Sequence, residues 1–466
     1  MPRAPFAWNC YRHRSLPVSA QRLINVFAET QPAGAKSQVI LLPTPGLDFF
    51  AEAGTGPIRG MLEMAGALYV VSEVAVYRVS AEGIATYLGE IEGGGPVSMA
   101  ENGAQVLIVV PDSGKGYIVT STSVTLITDE DFPAASSCTY IDGYFVVSEA
   151  NAGAFHLSAL DDGLTWNGDV AEAERSPDNL VRAVRVGSVL WLFGEFTTEI
   201  WSNQGAADFP FLQVSGAFVE RGCAARDSVD HRLGTVFWLG DDRVIYRSDN
   251  FQPQRISNHA IEQEIGGYAT VSDAIGSIYE QEGHTFYVLT FPSEGNTWVY
   301  DAKEGMWHER ESEGYGTWRC AHVINYAGAA LGADTEDGRI YRINPTLSTE
   351  DGDKVIRVAT GIAWHSENKR VFFSRFSAEF ERGASSYASG DSANIDGDVF
   401  LTSSNDGGRT WSAERWRKLG FQGQYRGRVE WRRNGSAREK VFRLQWSDPV
   451  RTALIAVNVD AESGQH

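Results

Sequence analysis

The run Ser404-Asn405-Asp406-Gly407-Gly408-Arg409-Thr410-Trp411 satisfies the spacing Ser-x-Asp-x-Gly-x-x-Trp, with Ser404, Asp406, Gly408 and Trp411 in the defining positions. In such a box the carboxylate accepts backbone N–H groups across a tight turn and the Trp packs back on its hairpin. Asp161, Gly163 and Trp166 repeat the pattern with Ala159 where Ser is expected. The chemistry of both boxes is the stapling of hairpins. Sialoside hydrolysis would need three arginines converging on a substrate carboxylate, a Tyr–Glu nucleophile pair and an acid donor, and no arginine motif marks the first strand. The nine histidines show no His-x-x-x-His or His-Glu-x-x-His spacing. Ser392-Ala393-Asn394-Ile395-Asp396-Gly397 resembles a calcium loop only faintly, because Ser392 opens it and Ser403 stands where a carboxylate is required; it reads as a turn. With no phosphate loop, dinucleotide fingerprint or Gly-x-Ser-x-Gly elbow, the sequence predicts no catalytic centre, no metal site and no cofactor.

The elements that carry these residues repeat. A turn with Gly or Asp is followed by an alternating apolar strand at Gly66, Gly103, Gly143, Gly187, Gly234, Gly283 and Gly328, which lie 37, 40, 44, 47, 49 and 45 residues apart. An all-strand period of that length predicts an all-β fold built as a β-propeller, since a four-stranded blade cannot bury both faces alone. Seven turn positions favour seven blades; a strand exchanged at closure would make it six. We expect an N-terminal arm over 1–45, the propeller over 46–346 and a C-terminal β-rich module over 355–466 that carries the Asp-box and completes the ring in part. Residues 383–398, rich in Gly, Ser and Asp, read as a long loop. The one convincing helix runs from Asn258 to Gly266. Most of the 13 tryptophans fall on alternating strand positions, which suits packing between blades; stacking on sugars or bases is the functional alternative.

Composition narrows the class. Hydrophobic content of 43% with 48 glycines fits strands and turns and excludes disorder. No apolar run is long enough to cross a bilayer, and Met1–Trp8 lacks the apolar core of a secretory signal. Cys10, Cys138, Cys223 and Cys320 form no close pair, which predicts free, mostly buried thiols in a reducing cytosol. A net charge of −20 argues against general attraction to nucleic acid. The charge is divided, however: Arg409, Arg415, Arg417, Lys418, Arg426, Arg428, Arg432, Arg433, Arg438, Lys440 and Arg443 face three acids over 409–443, giving +8 and leaving −28 on the rest. These residues are either candidate inter-subunit or adaptor contacts or the solvated faces of strands.

Several segments together resemble one family. They are Gln21-Arg22-Leu23-Ile24-Asn25-Val26, Thr44-Pro45-Gly46-Leu47, Ile141-Asp142-Gly143-Tyr144-Phe145, Trp191-Leu192-Phe193-Gly194, Thr198-Glu199-Ile200-Trp201, Gly222-Cys223-Ala224-Ala225, Thr297-Trp298-Val299-Tyr300-Asp301, Trp307-His308-Glu309-Arg310 and the Asp-box of 404–411. In order and number they resemble the tail hub, or nozzle, proteins of short-tailed bacteriophages, also described as packaged-DNA stabilisation proteins. The segments Asn25–Glu29 and Arg433–Ser436 depart from the family pattern. The resemblance implies a non-enzymatic structural protein of the virion tail, assembled in the bacterial host cytoplasm as a homo-hexameric ring. That ring would sit below the portal-bound adaptor, extend the DNA channel, hold a tail needle or plug and meet tailspikes or fibres, with viral DNA passing unbound and no membrane insertion. The alternatives from other classes are a sialidase-like or other carbohydrate-acting propeller enzyme and a receptor-binding tail protein that grips sugars through exposed Trp.

Overall fold

The repeated turns decide the architecture. Two-residue hairpin turns that match strand twist need positive φ at both positions, and Ala65-Gly66, Asp142-Gly143, Leu233-Gly234, Glu282-Gly283 and Ala327-Gly328 all adopt it, with φ of 48–50° at the first residue and 76–91° at the glycine. Each joins the first two strands of a blade. In the computed structural model, which describes residues 6–173, 177–206, 209–367, 369–382, 397–420, 427–447, 449 and 451–464, these hairpins form seven blades. Blades 1 to 6 begin at strands Ile58–Met64, Ser98–Glu101, Ala135–Ile141, Leu180–Val186, Asp230–Arg232 and Ile275–Gln281, each followed in order by its other three strands. Blade 7 has Cys320–Tyr326, Ala329–Asp334 and Arg339–Asn344, and takes its outer strand, Gly46–Glu52, from ahead of blade 1. The pairing runs from Asn344↔Gly46 to Arg339↔Glu52. Strand exchange at closure therefore completes a seventh blade and does not reduce the ring to six.

Serine hydroxyls tie the innermost strands of neighbouring blades. Ser98 Oγ accepts the N–H of Cys138 at 3.0 Å, Ser137 Oγ accepts that of Ala183 at 2.9 Å, and Ser277 Oγ donates to Ala321 O at 2.7 Å while accepting from Val323 at 3.1 Å. Farther out, aromatic rings fill the wedge between blades: Phe193 of blade 4 lies 5.6 Å from Trp238 of blade 5, and Phe155 of blade 3 lies 5.1 Å from Trp201 of blade 4. Propeller tryptophans such as Trp238 thus pack blade on blade, as their alternation predicts, whereas Trp431 and Trp446 fill the second module. All four cysteines are buried and free, and burial pushes the thiols of Cys138 and Cys223 up to about 12 and about 11.

The second module is a two-sheet sandwich, and its composition corrects the expected N-terminal arm. Residues 20–43 are not a separate arm: they supply three of its strands. One sheet begins on the propeller, where the outer strand of blade 6, Met306–Glu309, pairs in parallel with Ala20–Ile24 at Glu309↔Ile24. It continues through Arg357–Thr360, Glu439–Trp446, Asp398–Ser404 and Arg415–Lys418. Propeller and sandwich therefore share one 11-stranded sheet. The other sheet runs Val26–Thr30, Val39–Pro43, Thr452–Ser463, Val371–Arg382, Gly427–Arg432. Phe376 and Phe442 meet across the sandwich at 4.6 Å and Phe380 and Trp446 at 5.4 Å, all four side chains buried. The predicted helix is His259–Gly266; Asn258 caps it by accepting from Ala260 and Ile261, and its side-chain amide reaches Cys10 O at 2.9 Å.

The junction between the modules is partly ionic. Arg22 holds Glu309 through two bonds of 2.8 and 2.6 Å, and His284 bridges Asp301 at 2.6 Å and Glu29 at 3.3 Å. His308 lies buried beside Phe27 and Phe286 with Nε2 unpartnered. Burial, with Arg310 and His284 adding positive charge, pushes its imidazole down to about 3. The folded value is below the unfolded one of about 6.5, so the unfolded chain binds the extra proton between them and stability falls as pH drops through that window. We expect His308→Leu to flatten the loss of stability between about pH 6 and pH 4, read as the change in urea midpoint with pH. A wild-type midpoint that is level over this range contradicts it.

Candidate assembly surfaces and the propeller axis

In the Asp-box of 404–411 Ser404 donates to Asp406 Oδ1 at 2.6 Å and accepts the N–H of Gly408 at 2.8 Å. Asp406 accepts from Arg409 N at 3.0 Å, Thr410 N at 2.9 Å and the Thr410 hydroxyl at 2.6 Å. The hydroxyls of Ser404 and Thr410 hold its carboxyl well below the usual carboxylate range. A Cβ on Gly407, at φ 72°, would come within 2.7 Å of the Pro17 backbone, so the turn is pressed onto the N-terminal segment. Trp411 lies under the guanidinium of Arg443, 3.5 Å from its carbon.

The second box closes differently. The carboxylate that takes the Leu164 N–H at 3.0 Å and the Thr165 hydroxyl at 2.8 Å belongs to Asp162, not Asp161. Without the hydroxyl missing at Ala159, the hairpin shortens to an Ala159↔Asp162 pair. Asp161 sits at its tip with φ 56° and accepts from Tyr140 at 2.5 Å. Gly163 is closely packed, a Cβ there standing 2.4 Å from Ile118 Cδ1 and 3.1 Å from the Phe145 ring, and Trp166 is buried with Nε1 on Gly163 O at 3.0 Å. Both boxes act as hairpin staples.

The basic stretch separates into two groups. Arg409, Arg417, Lys418, Arg428, Arg432, Arg433 and Arg438 are exposed, with Lys418 3.1 Å from Asp398 and Arg432 3.6 Å from Glu430. Three others serve the fold. Arg415 donates to Asn434 Oδ1 and Arg432 O at 2.8 and 2.7 Å, buried Lys440 donates to Asn405 at 2.7 Å, and Arg443 stacks on Trp411. Arg426, residues 392–396 of the calcium-like run and most of the predicted loop 383–398 lie outside the described residues. Trp416, 57% exposed, stands among these cations at the sheet edge.

Sequence reasoning missed the propeller axis. Bulges in the innermost strands between Leu180 and Arg182 and between Cys320 and His322 re-aim those side chains. Arg182, Asp227, Asp230 and His322 line an axial cavity of about 260 Å³. Asp227 takes Arg182 at 3.3 Å and Arg226 at 2.5 Å, and Arg226 reaches on to Pro96 O at 3.3 Å, spanning from the entry of blade 5 to the entry of blade 2. Burial pushes the Asp230 carboxyl up to about 6, against the His231 N–H that it accepts at 2.7 Å. Burial also lowers His322, against the pull of Asp227. Among the described residues no tyrosine or glutamate lines the cavity, so these residues do not assemble the Tyr–Glu pair of a sialoside hydrolase there. The only sequence signal for this cluster was the adjacent Arg226-Asp227; the bulges that complete it leave no composition mark. Among the described residues no three His, Cys, Asp or Glu gather as for a metal ion, and no helix is long and apolar enough to cross a membrane.

Two family models match the chain in tandem. One, described as bacteriophage P22 Gp10, beta-propeller, covers residues 11–348, and the other, bacteriophage P22 Gp10, beta-sandwich, covers residues 357–462. No curated protein matches. Among solved structures the chain is similar to a streptogramin B lyase (11% identity, 65% of this chain and 98% of that one, TM-score 0.43). It is also similar to the N-terminal domain of Nup159 (10% identity, 70% and 99%, TM-score 0.40). A computationally designed protein, Ika8, gives 10% identity, 70% and 99% coverage and a TM-score of 0.38. Likeness at these scores carries no functional argument.

Proposed function

The chain belongs to the bacteriophage P22 Gp10 family of phage tail structural and stabilisation proteins, and from that membership we propose that it is the hub, or nozzle, of a short tail. Copies close into a ring, six by the family resemblance, below a portal-bound adaptor. The ring extends the DNA channel, seats a needle or plug that retains the genome and meets the tailspikes or fibres. Assembly takes place in the host cytoplasm and the working location is the virion tail.

The observation that carries this reading is the tandem match of both modules, in order, to the two modules of one tail protein. Arg226, bonded from the entry of blade 5 to Pro96 at the entry of blade 2, argues that DNA does not thread the propeller. The channel then lies between copies, with blades as its wall. A wall drawn from the part of the chain that carries −28 repels phosphate, so DNA slides without adhering. The exposed arginines of the basic stretch face an acidic neighbour or the adaptor across a head-to-tail contact. No enzymatic role is proposed.

Electron microscopy of the purified protein mixed with its portal–adaptor complex tests the reading. Rings capping the complex are the expected result. A protein that leaves the complex uncapped and instead binds or hydrolyses glycans would overturn it.

A further inference from the structure

Among the described residues of the basic stretch, Arg443 is the half-buried cation that neither a carboxylate nor a neutral acceptor meets, whereas Arg415 and Lys440 each donate to a neutral oxygen. Its guanidinium is half-buried on Trp411, its Nε is buried without a partner, and neither a hydrogen bond nor an ion pair reaches it among the described residues. It stands in a cross-strand row on the outer face of the shared sheet, Thr402↔Arg443↔Thr360↔Arg22. Directly paired residues share a face with Cβ atoms about 5 Å apart. Thr402 Oγ1, beside it, is also buried and unpartnered. Arg12 pairs with Ala20 on the neighbouring strand and adds a third guanidinium to this face. Of the carboxylates nearby, Glu309 holds Arg22 through two bonds, while Glu264 lies within electrostatic range of Arg22 and Arg12 with no ion pair to either and none to Arg443. Burial, with Arg22 and Arg12 adding like charge, pushes Arg443 down to about 10. A partly desolvated cation without a counter-ion costs stability and is kept where something outside supplies the anion. The adjoining row on the same face carries Gln445, Phe400 and the exposed Trp416, and exposed Trp beside Arg is the composition of a protein contact.

We infer that Arg443, on its Trp411 platform with Arg12 alongside, is an oxyanion site that receives a carboxylate from the acidic propeller of a second copy of this chain. The choice of a second copy rests on the ring-forming reading, whereas the oxyanion site does not. Charge decides for carboxylate over phosphate, because the abundant anion in an assembly of copies is the −28 carried by this chain itself.

The test uses the full chain at low salt, with fluorescent hexaglutamate as the probe, self-association followed by sedimentation, and a short DNA duplex as the competing arm. We expect Arg443→Met to weaken hexaglutamate binding by at least about tenfold and self-association in parallel, while Arg438→Gln, an equal charge loss on the same module, changes either less than about twofold. Arg443→Met keeps apolar packing on Trp411, gives up the cation–π attraction and removes an unpaired, partly desolvated charge, so its Tm without probe should equal or exceed that of the wild type. Equal weakening in both variants, tighter binding of duplex than of hexaglutamate, or a lowered Tm in Arg443→Met each overturns the site. Loss of hexaglutamate binding without loss of self-association overturns the second copy as its occupant. None of these readouts depends on whether the chain caps a tail.

Discussion

A chain that begins at Pro45 should fail to fold its sandwich, leaving residues 357–464 open to protease while the propeller resists. The shortened chain keeps Gly46–Glu52, the strand that closes blade 7. It loses Ala20–Ile24 from one sandwich sheet and Val26–Thr30 and Val39–Pro43 from the other. Leu23, Val26, Phe27, Ala28 and Leu41, each at most 3% exposed, leave with them. Burying a Leu, Val or Phe side chain contributes roughly 1.5–3 kcal/mol, so the loss rivals the 5–15 kcal/mol that holds a typical domain together. Loss of the parallel partner also exposes the outer edge of blade 6, an unpaired strand that invites aggregation. Limited proteolysis with mass mapping reads the result. A truncated chain whose 357–464 segment remains protected would contradict this account of the sandwich.

Glu350→Ala should be the most damaging single substitution at the seam, at about 3–5 kcal/mol. Arg310 is fully buried, its carbon 3.7 Å above the Trp318 ring, with Nη2 donating to Pro45 O at 2.9 Å and toward Glu350 at 3.5 Å. Glu350 also accepts from the Ser312 hydroxyl at 2.5 Å and Trp318 Nε1 at 3.2 Å. Burial raises its carboxyl above the ordinary value, and Arg310 with Ser312 opposes the rise. Removing the carboxylate leaves the Ser312 hydroxyl and the Trp318 indole N–H without an acceptor in a dry site, and leaves the Arg310 guanidinium with Pro45 O but no counter-charge. Glu350→Gln keeps one acceptor oxygen and should cost distinctly less. Urea denaturation of the two variants separates these outcomes, and equal midpoints would show that the acceptor is not what matters.

The parts of this molecule that local chemistry dictates were legible in its residues. Turn pairs such as Asp142-Gly143 and Glu282-Gly283 announced their hairpins because positive φ is a local demand; five blades use such a pair, and the seven turn glycines together announced seven blades. The box at 404–411 was legible for the same reason: every bond in it spans at most four residues. What depended on distant pairing was not. Nothing in Gln21-Arg22-Leu23-Ile24 says that it lies between Glu309 and Val358, and the strand signal was weak because the segment is too short to show a period. The second box misled because Asp161 and Asp162 are adjacent and the missing hydroxyl at 159 shifts the turn by one. Among the basic residues, sequence gave charge but not direction, so Lys440, turned inward to Asn405, counted with Arg438, turned outward. The axial cluster needed two bulges, and a bulge is a register error visible only against its partner strand.

Because Val39–Pro43 pairs with Thr452–Ser463 at Leu41↔Leu454, and Gly46–Glu52 follows only a few residues later, the strand that closes the propeller is held at its upstream end by the last strand of the chain. The seam cannot peel from that end until the sandwich has come apart. Under load the weakest link of the ring is thereby shifted away from the ring itself, and amide protons of Arg339–Asn344 should exchange no faster than those of Thr452–Ser463. A tail component built this way carries tension through the paired strands Val39–Pro43 and Thr452–Ser463, with the propeller as the buckle they fasten.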